Sequence, residues 1–111
     1  MTDHTLYLSG PMAGLPEHNF PAFADATKRL RDAGYSVLSP HEIDSQPGKA
    51  WAEYLRVDLV EMLNGATALA LLPGWENSRG ANLERHVAEA LGWPIKTVDF
   101  WLHAKAVWAC Q

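Results

Sequence analysis

Residues Thr67 to Leu72 read TALALL, an uninterrupted apolar run of strand length in the middle of the chain. A strand with no polar face has to be covered on both sides. A parallel sheet between two layers of helices does this, and an antiparallel sheet open to water does not. The flanking segments agree. Thr5 to Ser9 (TLYLS) is short, β-rich and stopped by Gly10-Pro11, while Tyr35 to Leu38 is stopped by Pro40, and Ile95 to Val98 follows Pro94. Helical periods separate them. Asn19 and Pro21 are placed to open a helix carrying Phe20, Phe23, Ala24, Ala26 and Leu30, with Gly34 as its C′ residue. Trp51, Tyr54, Leu55, Leu59, Met62 and Leu63 predict a second helix over Trp51 to Leu63, and a third runs from Ala81 to Leu91, closed by Gly92. His41 to Lys49 is polar, contains Pro47-Gly48, and reads as a loop.

This alternation predicts an α/β fold: a flavodoxin- or Rossmann-like three-layer domain with a parallel sheet of four to five strands and helices on both faces. A strand order of 2-1-3-4 puts the switch point between the first and third strands. Ligands of such sheets bind beyond the strands' carboxyl ends at that point, where the loops Ser9 to Gly14 and Pro73 to Gly80 meet. With 111 residues, 48% of them apolar and 20% charged, residues 1–111 suffice for one packed domain and not for two. The segment Phe100 to Gln111, with Trp101 and Trp108, is too apolar to stay free. It is expected to dock on its own chain or on a partner subunit.

Several functional classes drop out. Thirteen acidic against nine basic residues give a net charge of −4, with no Lys/Arg cluster to follow a phosphate backbone, so polymeric nucleic acid is not an expected partner. A single nucleotide needs only a few donors and stays open. Cys110, the one cysteine, excludes an intrachain disulfide framework and reads as an incidental thiol. No signal peptide and no apolar run of about 18 residues is visible, so a cytoplasmic protein without a membrane partner is expected. His4, His18, His41, His86 and His103 lack paired ligand spacing, and no metal or other cofactor is assigned. GxGxxG is absent, which disfavours a dinucleotide site, and Ser9 lacks the G-x-S-x-G context of a hydrolase triad.

The chemistry concentrates at the two loops. In YLSGPMAGL, Tyr7 to Leu15, the small residues let a ligand approach the backbone of Ser9, Gly10, Pro11 and Met12, although a plain strand-to-loop turn looks the same. In LLPGWENSRGANLE, Leu71 to Glu84, Gly80 allows close approach at a helix N-terminus, where N–H groups and the helix dipole favour an anion. Ser78 and Arg79 stand beside it as phosphate donors, and Trp75 is an aromatic placed to stack on a base. Glu84 lies about one turn into the helix, able to point into the same crevice or to pair with a basic neighbour at the surface. Asp58, flanked by Tyr54, Leu55 and Met62, is an acid beside an apolar stripe; it needs a raised pKa or a partner such as Arg56 or Arg85. Together, Glu84 and Asp58 would supply one nucleophilic and one proton-holding carboxyl.

Three segments taken together resemble the nucleoside 2-deoxyribosyltransferase superfamily: Tyr7-Leu8-Ser9-Gly10-Pro11, Arg56-Val57-Asp58-Leu59, and Pro73-Gly74-Trp75-Glu76 with Ser78-Arg79-Gly80-Ala81-Asn82-Leu83-Glu84. Order and spacing match from about Thr5 to Val98, closest to a short branch common in phages and bacteria with a GWExSRGAxLE signature. The resemblance implies that Glu84 attacks C1′ of a nucleoside or nucleotide and that Tyr7 orients it. It further implies that Asp58 handles protonation at the base or contacts the sugar. Transferases acting on free nucleosides carry an aspartate six residues before the nucleophile, and this chain has Ser78 there. In the family's deoxynucleoside 5′-monophosphate hydrolases a serine at that place helps hold the phosphate, so the resemblance implies a phosphorylated substrate. It also implies a homodimer or higher homo-oligomer whose C-terminal part contributes to a neighbour's site.

The resulting expectation is an N-glycosidase that hydrolyses, or exchanges the base of, a (deoxy)nucleoside 5′-monophosphate. The alternatives are a nucleotide-binding or sensing protein without turnover and a structural dimer on the same fold.

Overall fold

The structure, a computed structural model, describes residues 4–43, 48 and 50–109, the last four by their backbone alone. Cys110, the Trp108 side chain and residues 44–47 and 49 of the expected loop lie outside the described residues. Four strands form, β1 (Thr5–Ser9), β2 (Ser36–Leu38), β3 (Ala68–Leu71) and β4 (Ile95–Thr97), in one parallel sheet of order β2-β1-β3-β4. That is the order the sequence predicts, and all four residues of β3 are buried. The helices are α1 (Phe20–Asp32), α2 (Pro40–Ile43), α3 (Trp51–Gly65), α4 (Arg79–Ala90) and α5 (Val98–Ala109). Among the described residues no helix is long and apolar enough to cross a membrane.

Strand alternation sorts the core into two layers. Leu6 and Leu8 of β1 point to one face, where they pack with Phe23, Ala26 and Leu30 of α1 and with Val98 and Trp101 of α5. Tyr7 points to the other, against Met62 of α3 and Ala88 of α4. Trp101 docks α5 on its own chain, its indole Nε1 donating to the Leu69 carbonyl at 3.0 Å and its own carbonyl accepting from the Tyr35 hydroxyl at 2.7 Å. α1 and α4 end as Gly34 and Gly92 predict. The Gly34 N–H reaches the Arg31 carbonyl and the Tyr35 N–H the Leu30 carbonyl, with the same pair of bonds at Gly92 and Trp93.

Three local readings are corrected. His41 to Lys49 is not loop throughout, because α2 forms at its start. There Pro40 presets the first turn, the Ser39 carbonyl accepts from the Glu42 and Ile43 N–H groups, and Arg31 grips Glu42 with both terminal nitrogens at 2.8 and 2.6 Å. Asn19 does not cap α1 through its side chain, which instead donates to the Pro11 carbonyl at 3.0 Å. Glu17, His18 and Asn19 all take left-handed backbone angles, with φ of 53°, 55° and 60°. A side chain in that region costs about 1 kcal/mol or more at each position. Leu63, expected on the apolar stripe of α3, is 50% exposed.

Candidate active site

The carboxyl ends of β1 and β3 are drawn together by the Leu72 N–H, which donates to the Ser9 carbonyl at 2.8 Å. Gly10 is what permits the approach, since a Cβ there would lie 2.7 Å from the Leu72 Cβ. Beyond these strand ends opens a cleft of about 540 Å³. Its walls are the segment Gly10–Gly14, the N-terminal half of α3, and the residues Asn77–Ala81 that lead into α4, with His18 and Phe20 also lining it.

α4 presents Ala81, Glu84 and Ala88 inward, and the two alanines leave room beside the sheet for the one acid between them. Glu84 is 6% exposed at the cleft floor. The strand alternation that turns Tyr7 toward α3 and α4 turns Ser9 the same way. The Tyr7 hydroxyl donates to Glu84 Oε2 at 3.0 Å and the Ser9 hydroxyl to Glu84 Oε1 at 2.6 Å, both bonds fully buried. Asp58 comes from the inward face of α3, one turn before Met62, and is also buried.

Burial pushes the Glu84 carboxyl up to about 7, with the Asp58 charge adding to the rise and the two hydroxyl donors pulling against it. Burial likewise lifts the Tyr7 phenol well above its ordinary range, helped by Glu84 and Asp58. Tyr7 therefore stays protonated and acts on Glu84 as a donor only. The cleft floor thus holds an acid that changes charge near neutrality, with a second carboxyl close enough to influence it.

The entrance to α4 is held by side chains. Ser78 is its N-cap, the hydroxyl accepting from the Ala81 N–H at 3.1 Å. Asn82 Nδ2 donates to the carbonyls of Trp75, Glu76 and Ser78, which fixes the preceding loop. The Arg79 and Gly80 N–H groups, at the first two positions of α4, have no partner within the helix. Gly80 lines the cleft, and a Cβ on it would meet nothing within 4 Å. The space beside it is open rather than filled by neighbouring protein.

Of the residues singled out from the sequence, Gly10, Pro11, Met12, Asp58, Ser78, Arg79, Gly80 and Glu84 line one cleft. Tyr7 and Ser9 lie beneath it, touching Glu84. Trp75 is a correction. It does not line the cleft: Gly74, at φ 88°, turns the chain so that the indole packs against the α3/α4 side of the core, with the Arg85 guanidinium 5.5 Å from its centre. Arg85 also pairs with Glu89 at 3.2 Å. The tryptophan at the cleft is Trp51, the first residue of α3, beside Phe20 and Tyr54, with the Arg79 guanidinium 4.2 Å from its ring centre. Sequence reasoning gave Trp51 and Leu55 to the core stripe. Their spacing from Asp58, seven and three residues, was the signal that all three share a helix face.

Comparison with curated proteins finds no match. A family model does match, over residues 4–97, which span every strand and all the cleft residues named above. The chain belongs to that family, described as a domain of unknown function, DUF4406.

Proposed function

We propose that this protein is an N-glycosidase acting on a (deoxy)nucleoside 5′-monophosphate, releasing or exchanging the base through a covalent link between Glu84 and the sugar. One observation carries the reading: a buried carboxyl at the cleft floor, held by two hydroxyl donors from β1. It stands where the resemblance to nucleoside 2-deoxyribosyltransferases implies the nucleophile. The cleft volume of about 540 Å³ falls in the range of small-molecule sites.

In the first step a Glu84 oxygen forms a bond to C1′ while the C1′–N bond breaks. The electron pair of that bond leaves with the base, which takes a proton from Asp58. Positive charge gathers on the sugar as the bond breaks, and the adjacent carboxylate stabilises it. In the second step the oxygen of water, or a ring nitrogen of a second base, attacks C1′. Its proton passes to Asp58, and the electrons of the Glu84–C1′ bond return to the carboxylate. Tyr7 and Ser9 are positioning residues that keep Glu84 in one rotamer. Ser78, Arg79 and the start of α4 take the 5′-phosphate.

Incubation with a panel of ribo- and deoxynucleoside 5′-monophosphates, followed by chromatography for free base, tests the reading. Base release that falls roughly 10³-fold or more in Glu84→Gln is the expected result. Release from no member of the panel, or undiminished turnover in the variant, overturns it.

A second reading, nucleotide binding without turnover, has its own observation. Both oxygens of Glu84 are engaged by hydroxyls of the fold, as a structural strut's would be. It predicts tight binding with the ligand recovered intact after long incubation.

A further inference from the structure

Trp51 opens α3 at the cleft mouth and remains 39% exposed, although it is the largest side chain on that wall. Its indole face is in contact with the flat guanidinium of Arg79, which comes from the start of α4 on the facing wall. A face that accepts one planar cation at contact distance accepts other planar groups, and an aromatic base is one of them. Leu55 and Asp58 follow Trp51 down the same face of α3, with Asp58 at about 10 Å along the axis. A sugar set over Glu84 at the floor would carry its base outward along this wall, toward the indole. Met12 and Phe20 line the cleft as well and add apolar surface for such a group.

We infer that Trp51 is the base-stacking residue of the cleft, and that Arg79 exchanges its place on the indole for the phosphate of the entering ligand. The inference rests on the nucleotide reading above. It assigns to Trp51 the stacking role that the sequence suggested for Trp75, whose ring packs elsewhere. Arg79 loses little in the exchange, since a phosphate offers two oxygens to its fork of N–H groups in place of a neutral ring face.

The test is calorimetric binding on the Glu84→Gln background, which keeps ligands intact, with the four common deoxynucleoside 5′-monophosphates and with ribose 5-phosphate as the base-free probe. Trp51→Leu is expected to raise the Kd of the nucleotides roughly tenfold and to leave that of ribose 5-phosphate unchanged, while Trp51→Phe recovers part of the loss. Nucleotide affinity unmoved by Trp51→Leu overturns the inference and leaves the glycosidase reading standing. Equal weakening of both ligand types also overturns it, because Trp51 would then act only by holding Arg79. If no nucleotide binds with Trp51 intact, the glycosidase reading itself falls, and this inference with it. Thermal melts of the variants report on folding; an exposed first helical residue is expected to leave them unchanged.

Discussion

Tyr7 and Glu84 stand 77 residues apart in the chain, and the phenol donates to the carboxyl at 3.0 Å in the core of the molecule. The bond ties the first strand of the sheet to the helix that follows the third, across the switch point. A carboxyl buried this deeply would ordinarily be neutral. Burial and the Asp58 charge raise its ionisation, and the Ser9 and Tyr7 donors hold the rise to about 7.

That value has a sign for stability. The folded pKa lies above the unfolded one, so the folded state holds the extra proton between about 4.5 and 7. Stability attributable to Glu84 is therefore highest below that window and falls as pH rises through it, by on the order of 3 kcal/mol. Glu84→Gln is expected to be more stable than the parent at pH 8 and to lose that advantage by pH 5, as read by urea denaturation at the two values.

Removing a donor moves the titration further up. Ser9→Ala, which deletes the shorter bond, is expected to raise the Glu84 pKa more than Tyr7→Phe does. Carboxyl-carbon NMR of labelled glutamate measures it directly. If the protein turns over nucleotides, the rising limb of its pH–rate profile shifts in the same order.

Two glycines at the cleft should respond oppositely. Gly10→Ala drives a Cβ against Leu72 and is expected to destabilise the fold by about 1–3 kcal/mol. Gly80→Ala meets no protein atom, so its melting temperature should hold or rise slightly. Because Gly80 lines the cleft, the added methyl group is expected to weaken binding of a nucleoside 5′-monophosphate. Melting curves and calorimetry on the two variants separate the effects.

Asn82→Ala deletes the donor to the Trp75, Glu76 and Ser78 carbonyls at once. It is expected to cost about 1 kcal/mol of stability and to increase amide exchange in that loop, measurable by hydrogen exchange.

The left-handed run at Glu17, His18 and Asn19 offers a gain. Glu17 is exposed and carries φ 53°, so Glu17→Gly is expected to raise stability by up to about 1 kcal/mol in thermal melts.

Much of this was legible in the chain because period and punctuation agree with the fold. TALALL needs two covers, and Gly34 and Gly92 each stop a helix by the same pair of bonds. Glu84 could be singled out because a residue one turn past a helix start at the strand ends can point into the crevice. Only the fold decides between that and a surface pair. What stayed hidden depends on partners distant in sequence. Nothing local to Trp75 says that Gly74 will turn its ring toward the core, and nothing local to Trp51 says that Arg79 will cross the cleft to meet it. α2 was missed because its ties include a bidentate pair from Arg31, on another helix. The left-handed turn was missed because Glu and His do not advertise positive φ.

The family match ends at residue 97, yet Trp101 of α5 packs on the sheet and hydrogen-bonds β3. Cutting the chain at that boundary would leave α1 on that face of the sheet but remove Val98 and Trp101, which share a core cluster with Leu6, Leu8 and Ala70. A fragment that ends with the family match is therefore expected to melt below one that carries α5.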